Sequence, residues 1–190
     1  RHDGAGEHVP PEVVGPEPVG GRGRLQRLGG VRRQRVVGDQ RRPQHRRDHQ
    51  HREHGDKYQV DLSLDEAQAE DFDALLIPGG LFSPDALRTN DKAKSFVSDF
   101  FAQKKPVFSI CHGPQVLISA NLVNGREVTG FPAIQQDLKN AGGIVKDQSV
   151  VVDGGLVTSR SPDDLGDFNA KIVEEICEGK HERQRDSVTA

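Results

Sequence analysis

Two short runs, one continuously apolar and the other apolar except for Ser109, constrain the fold of this chain more than any other feature. The first, residues 74–77, stops at Pro78-Gly79-Gly80, and the second, residues 107–110, leads directly into Cys111. Predominantly apolar runs of this length predict strands that are buried on both faces, as in a parallel sheet. Between them, apolar positions from 93 to 101 follow helical spacing after Asn90, a residue that favours helix N-caps. We therefore predict an α/β fold with helices on both faces of a mostly parallel sheet.

The pattern from residue 56 to residue 179 agrees with one such domain. Residues 58–62 alternate apolar and polar as a half-buried strand does, residues 150–158 predict a hairpin, and Pro162 opens a last amphipathic helix. A doubly wound sheet also needs a first strand, helix and second strand, which would have to come from residues 1–55. We predict a flavodoxin-like three-layer sandwich whose first β-α-β unit is missing or non-native, followed by a charged, mobile tail over residues 180–190.

Residues 1–55 differ in composition from the rest of the chain. They hold 12 Arg and 7 acidic residues, and they contain no Lys, Ile, Phe, Tyr, Ser, Thr, Asn or Cys. Neither folded nor ordinary disordered segments exclude Ser and Lys together. One interpretation is a basic arm that binds nucleic acid, and another is a metal-binding cluster made by His45, His49, His51 and His54. We favour a third, translation out of frame from a GC-rich gene, and predict a disordered, non-family segment without a nucleic-acid partner.

The cysteine and hydropathy patterns restrict the compartment. The two cysteines, Cys111 and Cys177, are far apart and suggest neither a disulfide framework nor a metal site. No stretch approaches the ~18 consecutive apolar residues of a membrane span, and the first residues do not resemble a secretory signal. We expect a cytoplasmic protein without a membrane partner and without a metal or organic cofactor.

Cys111 lies at a junction between the buried run 107–110 and a helix that begins near Gly113-Pro114. A residue at such a turn lies above the strand ends, beside the amides of the helix N-terminus, which favour thiolate over thiol. His112 can exchange a proton with this thiol if the turn places both side chains on one side. A buried core cysteine is the alternative, but the strand before Cys111 and the His-Gly-Pro after it favour a nucleophile.

Backbone and acidic groups near this junction are further candidates. Gly79 and Gly80 end the neighbouring strand and form either a plain turn or a pair of amides that act as an oxyanion hole. Gly113 offers another backbone amide at the start of the helix. Asp85 is either a helix cap, the commoner role of Asp after Pro, or the acid that orients His112.

Three segments resemble the PfpI family of the DJ/PfpI superfamily. They are residues 73–80 (DALLIPGG), residues 109–115 (SICHGPQ) and residues 157–165 (VTSRSPDDL). The resemblance runs from about Gly55 to Glu178, and the CHGPQ motif in this setting is highly specific. The family includes intracellular cysteine peptidases and bacterial stress-response deglycases of the class I glutamine-amidotransferase-like type. It implies that this chain is a cysteine hydrolase with Cys111 as the nucleophile and His112 as its partner.

The resemblance also implies that the site is completed by a second subunit. The family's acidic third member matches Asp85 and comes from the neighbouring chain of a homo-oligomer, a dimer or a hexamer. Substrates would be small aldehydes, glycated proteins or peptides, attacked to give a thiohemiacetal or thioester-like intermediate. The family also places a glutamate near the nucleophile after its first strand, and no such segment follows an apolar strand here. The open alternatives are a non-enzymatic redox-sensing or chaperone-like stress protein, and a chain inactivated by loss of that glutamate.

Overall fold

The structure is a computed structural model that describes residues 37–38 and 60–184, all within one compact unit, Arg32–Ala190. Strand β1 (Val37–Gly38) pairs in parallel with β2 (Leu62–Ser63). Apart from these two residues of β1, the predictions made for residues 1–55 lie outside the described residues. The strand predicted over residues 58–62 appears in the described part only as β2.

A four-stranded sheet forms the centre of the described chain. Its order is β3 (Leu75–Ile77), β4 (Val107–Ile110), β8 (Leu156–Ser159) and β7 (Val150–Asp153). The first three strands are parallel, and β7 returns antiparallel beside β8, which confirms the predicted hairpin. The register places Ile77 beside Ser109 and Ile110 beside Ser159. The carboxyl ends of β3, β4 and β8 therefore meet at one edge of the sheet, where ligands bind in open α/β folds.

Helices connect and cover these strands. They are α1 (Phe82–Leu87), α2 (Asp91–Ala102), α3 (Pro114–Ser119), α4 (Gln135–Asn140) and α5 (Leu165–Glu178). A second parallel pair consists of β5 (Glu127–Val128) and β6 (Ile144–Val145). The predicted cap of α2 is confirmed, because the Asn90 side chain accepts hydrogen bonds from the N–H groups of Lys92 and Ala93. Short 3-10 turns are Ala69–Asp71, Pro132–Ile134 and Pro162–Asp164, so the last helix becomes α-helical only at Leu165.

Two apolar cores lie on the two faces of the sheet. Phe100 and Leu117 belong to the core under α2 and α3, and Phe108 and Phe168 belong to the core under α5. The two cores and the sheet between them confirm the predicted flavodoxin-like, mostly parallel three-layer architecture. Among the described residues, no helix is both long and apolar enough to span a bilayer.

The segment that follows α5 packs against the domain as far as it is described. The N–H of His181 donates to the carbonyl of Lys104 at 2.9 Å, and the Gln184 side-chain amide donates to the carbonyl of Lys105 at 3.0 Å. Gln184 is buried. Residues 181–184 therefore lie against the loop between α2 and β4. The rest of the predicted mobile tail, residues 185–190, lies outside the described residues.

Candidate active site

The turn between β4 and α3 holds Cys111 in an unusual backbone conformation. Its φ angle is +61°, in the left-handed region that non-glycine residues rarely occupy and that costs about 1–3 kcal/mol. Two backbone hydrogen bonds hold it there: the Cys111 N–H donates to the Ser159 carbonyl at 3.0 Å, and the Cys111 carbonyl accepts from the Phe131 N–H at 2.9 Å. The thiol is half-buried beside the α5 core. Strain of this kind is typical of a nucleophile presented on a sharp strand-to-helix turn.

Cys111 and His112 form a close pair although they are sequence neighbours. The Sγ of Cys111 lies 3.2 Å from Nδ1 of His112, within hydrogen-bonding distance for sulfur. Neighbouring side chains usually diverge, yet here the side chains of Cys111 and His112 turn toward one another. Among residues 60–184, this imidazole is the hydrogen-bonding partner that the structure gives to Sγ. A thiol and an imidazole in this arrangement can exchange a proton directly.

Phe131 fixes the imidazole of His112. The two rings are stacked with centroids 4.8 Å apart and an interplanar angle of 28°, and His112 is only 9% exposed. The N–H of Phe131 also bonds to the Cys111 carbonyl, so the same residue holds both members of the pair. The sequence pattern indicated Phe131 only as an apolar residue before Pro132. Nothing in its spacing could show that it would lie over His112, because the contact joins positions that are distant along the chain.

Gly79 approaches the nucleophile so closely that no side chain fits there. A Cβ built on Gly79 would lie 2.6 Å from the Cβ of Cys111 and 3.2 Å from its Sγ. The end of β3 therefore lies directly against the thiol. Gly80 follows with φ of +85°, a backbone conformation that suits glycine. Among the described residues, no backbone hydrogen bond takes up the N–H of either glycine.

Gly113 has a packing role that corrects the expectation of a free amide. Its N–H donates to the carbonyl of Ile110 at 2.9 Å, and a Cβ there would lie 2.6 Å from Oγ of Ser109. The Cys111 N–H is likewise engaged by Ser159, and Pro114 has no N–H. Within the described chain, the N–H of His112 is the elbow amide that no hydrogen bond engages, and the sequence pattern did not indicate it.

Asp85 does not contact the imidazole through any hydrogen bond or ion pair within the described chain. It lies exposed in the first turn of α1, and the N-cap of that helix is Leu81, so the interpretation of Asp85 as a cap is wrong. The large apolar side chains of Leu81 and Phe82 next to it are 64% and 65% exposed.

Arg160 is a charged residue that directly follows Ser159, the residue whose carbonyl accepts the hydrogen bond from the Cys111 N–H. Its guanidinium donates to both carboxylate oxygens of Asp164, at 2.9 and 3.0 Å, and to Asp147 at 2.9 Å. These bonds raise the pKa of Arg160 and hold the pKa of the Asp164 carboxyl below its usual value. Arg160 is thus committed to two acids and fixes the loop after β8.

Comparisons with known proteins agree with this geometry. The profile of the DJ-1/PfpI family matches residues 25–175, beginning upstream of the boundary predicted at residue 56. A Bacillus subtilis strain 168 protein named "Putative cysteine protease YraA" is 54% identical over 120 residues, 63% of this chain and 70% of that protein. The uncharacterized protein SAV1875 of Staphylococcus aureus strain Mu50 is 51% identical over 125 residues, 65% of this chain and 72% of that protein.

Solved structures give the same fold. An Anabaena variabilis protein with DJ-1/ThiJ/PfpI-like and ferritin-like domains has a TM-score of 0.61 and 45% identity. That match covers 63% of this chain and 34% of the Anabaena chain. Schizosaccharomyces pombe DJ-1 has a TM-score of 0.56 and 28% identity, covering 61% of this chain and 64% of DJ-1. This chain therefore spans only part of the length of the proteins it resembles.

Proposed function

This chain belongs to the DJ-1/PfpI family, and from this premise we propose that it is a cysteine-dependent hydrolase of the peptidase or deglycase kind. The observation that carries the proposal is the distance of 3.2 Å between Sγ of Cys111 and Nδ1 of His112 on a strained elbow. A buried structural cysteine would need neither the strain nor the adjacent imidazole. The name of the Bacillus relative supports the same kind of chemistry.

The first step would be nucleophilic attack on a carbonyl. His112 takes the thiol proton at Nδ1, and the sulfur forms a C–S bond while the carbonyl π electrons move to oxygen. The amides of Gly79, Gly80 and His112 are the candidates to stabilise that oxyanion, because no hydrogen bond within the described chain engages them. Since Phe131 holds the imidazole against the thiol, little reorientation is needed between the two proton transfers.

The outcome would depend on the substrate. With a methylglyoxal-type aldehyde, the oxyanion takes the proton back from His112 and yields a thiohemiacetal. Proton transfer from the carbon that bears sulfur to the adjacent carbonyl group would convert this adduct into a 2-hydroxy thioester, and water would hydrolyse it to a 2-hydroxy acid and the free thiol. With a peptide, the C–N bond breaks, the leaving amine takes the proton, and water hydrolyses the remaining thioester. A glycated protein would present a carbonyl-derived adduct to the same thiol. A cavity of about 330 Å³ between α2 and the end of α3 contains none of these site residues, so we assign the substrate to the elbow instead.

We further propose that a homo-oligomer, a dimer or a hexamer, completes the site. With Nδ1 facing sulfur, Nε2 of His112 is the nitrogen that an orienting acid would contact. Asp85 is exposed and follows the exposed apolar pair Leu81 and Phe82, which favours a position at a subunit interface. In this arrangement Asp85 of a second copy would accept the Nε2–H.

The proposal also includes a cytoplasmic location and an out-of-frame N-terminal segment. Both cysteines are free thiols, which suits a reducing cytoplasm. Residues 1–55 would be an out-of-frame segment without a complete first β-α-β unit or the family's glutamate, even though β1 and the start of the family match lie within it. The chain with the reading frame restored would then be the better enzyme.

The test is turnover of small aldehydes, glycated protein and peptides by the frame-restored protein and its Cys111→Ser variant. We expect Cys111→Ser to lose turnover and Cys177→Ser, the matched control at an exposed cysteine, to keep it. Unchanged turnover of every substrate by Cys111→Ser would refute the hydrolase. Protection of an unfolding client protein by Cys111→Ser would instead identify the chaperone-like alternative.

A further inference from the structure

A second group of chemically active side chains lies at the C-terminal end of α5. Glu175 and Glu178 are three residues apart and so share one face of the helix. Gly179, with φ of +81°, ends the helix and returns the chain so that His181 lies over the same face. One ligand atom from each of Glu175, Glu178 and His181 lies within 4.8 Å of the other two.

The group is held in place by packing and by backbone hydrogen bonds. Glu175 is 5% exposed, and the side chain of His181 is 11% exposed. The backbone N–H of His181 donates to Lys104, and the carbonyl of His181 accepts from the N–H of Gln184 at 2.9 Å. Gln184 is itself tied to Lys105. The imidazole is thus positioned before any ligand arrives, unlike a surface cluster of mobile acids.

The charge of this group is favourable for a cation. Burying a carboxylate such as that of Glu175 is costly unless it is paired with positive charge or coordinates a metal. Glu178 adds a second carboxylate on the same face, and the last carbonyls of the 14-residue helix α5 add their negative dipole end. The carbonyl of Glu175 lies 3.4 Å from Nε2 of His181.

The distance between Glu175 and His181 fits metal ligation. Ligand bonds of about 2.0–2.2 Å at tetrahedral or octahedral angles separate neighbouring ligand atoms by about 3.0–3.5 Å. Nε2 of His181 and Oε2 of Glu175 are 3.2 Å apart. Glu178 Oε2 lies 3.9 Å from Nδ1, the other ring nitrogen of His181, so its exposed side chain would have to rotate toward Nε2 to supply the third ligand. One imidazole nitrogen and two carboxylate oxygens suit zinc and its neighbours, with solvent completing the coordination.

We propose that Glu175, Glu178 and His181 form a binding site for a divalent transition-metal ion of the zinc type. The ion ties the segment around His181 to the end of α5 and thereby stabilises the packing of residues 181–184 on the loop after α2. The site is independent of the hydrolase proposal, since it is built on α5 rather than on β4 and α3. The competing account is a hydrogen-bonded Glu–His pair that holds the same segment without metal.

The first experiment titrates Zn²⁺ into the full chain and into two single-residue variants. His181→Gln removes the imidazole ligand, and Glu174→Gln is the matched control, because it changes an exposed neighbouring acid that pairs with Lys171. Histidines in residues 1–55 also bind zinc, so the difference between variants is the measured quantity. We expect His181→Gln to lose one zinc equivalent, or to bind it at least about tenfold more weakly, and Glu174→Gln to match the wild type.

Thermal unfolding gives the same comparison in a second form. At zinc 100 times above the dissociation constant, the wild type and Glu174→Gln should gain roughly 5–10 °C in Tm, and His181→Gln should gain much less. Equal zinc stoichiometry, affinity and Tm gain in all three proteins would overturn the site and leave the Glu–His pair alone.

A third measurement decides the matter if His181→Gln does not fold. Co²⁺ added to the wild type should broaden the amide resonances around Glu178 and His181 at the lowest metal concentrations. Broadening confined to other parts of the chain would overturn the proposal.

Discussion

Replacing Gly79 by alanine should damage both the stability and the chemistry of the elbow. The new Cβ would lie 2.6 Å from Cys111 Cβ and 3.0 Å from the Ile110 carbonyl, whereas carbon atoms in contact normally lie about 3.5–4.0 Å apart. Roughly 1 Å of movement is therefore needed. Cys111 cannot supply it, because its strained backbone is held by hydrogen bonds to Ser159 and Phe131. The end of β3 must move instead.

The magnitude follows from that displacement. Overpacking of this kind costs about 1–3 kcal/mol of unfolding free energy. It also moves the amides of Gly79 and Gly80 away from the sulfur, and a misplacement of about 1 Å typically lowers turnover about 100-fold. Gly166→Ala is the matched control, because a Cβ there meets no atom within 4 Å and the position lies inside α5. That variant should be neutral or up to about 1 kcal/mol more stable.

Urea unfolding and turnover of a small aldehyde, measured on the frame-restored protein, provide the assay. The wild type and Gly166→Ala should share one turnover number, and Gly79→Ala should fall far below both. If Gly79→Ala kept the stability and turnover of the wild type, the close approach of β3 to the thiol would have no energetic or chemical role.

Three further predictions concern other parts of the chain. Phe131→Leu should lower kcat about tenfold with little change in KM, because His112 loses its stacking partner, while Phe131→Tyr should keep most of the activity. Equal kcat values for the two variants would contradict the role of the aromatic ring. Because Arg160 lowers the pKa of Asp164, their ion pair stabilises the fold fully above pH 3.8, the ordinary pKa of the carboxyl, and this stability is lost as the pH falls below that value. Acid unfolding of Asp164→Asn should depend less on pH, and identical acid-unfolding curves for the variant and the wild type would contradict the role of the pair. Limited proteolysis should remove residues 1–55 first, and strong protection of this segment would contradict the out-of-frame interpretation.

Local sequence patterns sufficed for the parts of the fold that local chemistry determines. The apolar runs that become β3 and β4, the Asn90 cap and the hairpin of β7 and β8 follow from burial, capping and turn rules that act over a few residues. Strand β4 is buried on both faces as predicted, but the same prediction is wrong for β3, in which Leu76 is 53% exposed. The Cys111 elbow could be predicted for the same reason, since strand, nucleophile and helix are contiguous. The strained φ angle of Cys111 and the thiol–imidazole contact both lie within this one turn.

Contacts between distant segments could not be predicted in this way. Phe131 covers His112 only because the chain returns from β5 across the top of the sheet. The Gly113 amide was expected to be available, yet the turn itself consumes it through Ile110. The pairing of Glu175 with His181 depends on the reversal at Gly179 and on packing against the loop that holds Lys104. These features arise from tertiary packing, which residue spacing does not encode directly.

Competitive alkylation of the two cysteines tests the central claim most directly. Cys111 lies beside an imidazole on the elbow, and Cys177 is exposed late in α5, so iodoacetamide at about neutral pH reports thiolate character against an accessible control. Mass spectrometry of the frame-restored protein should show Cys111 labelled at least about tenfold faster than Cys177, with turnover falling in proportion to the label on Cys111. Equal labelling rates, or full turnover after complete alkylation of Cys111, would contradict its assignment as the nucleophile.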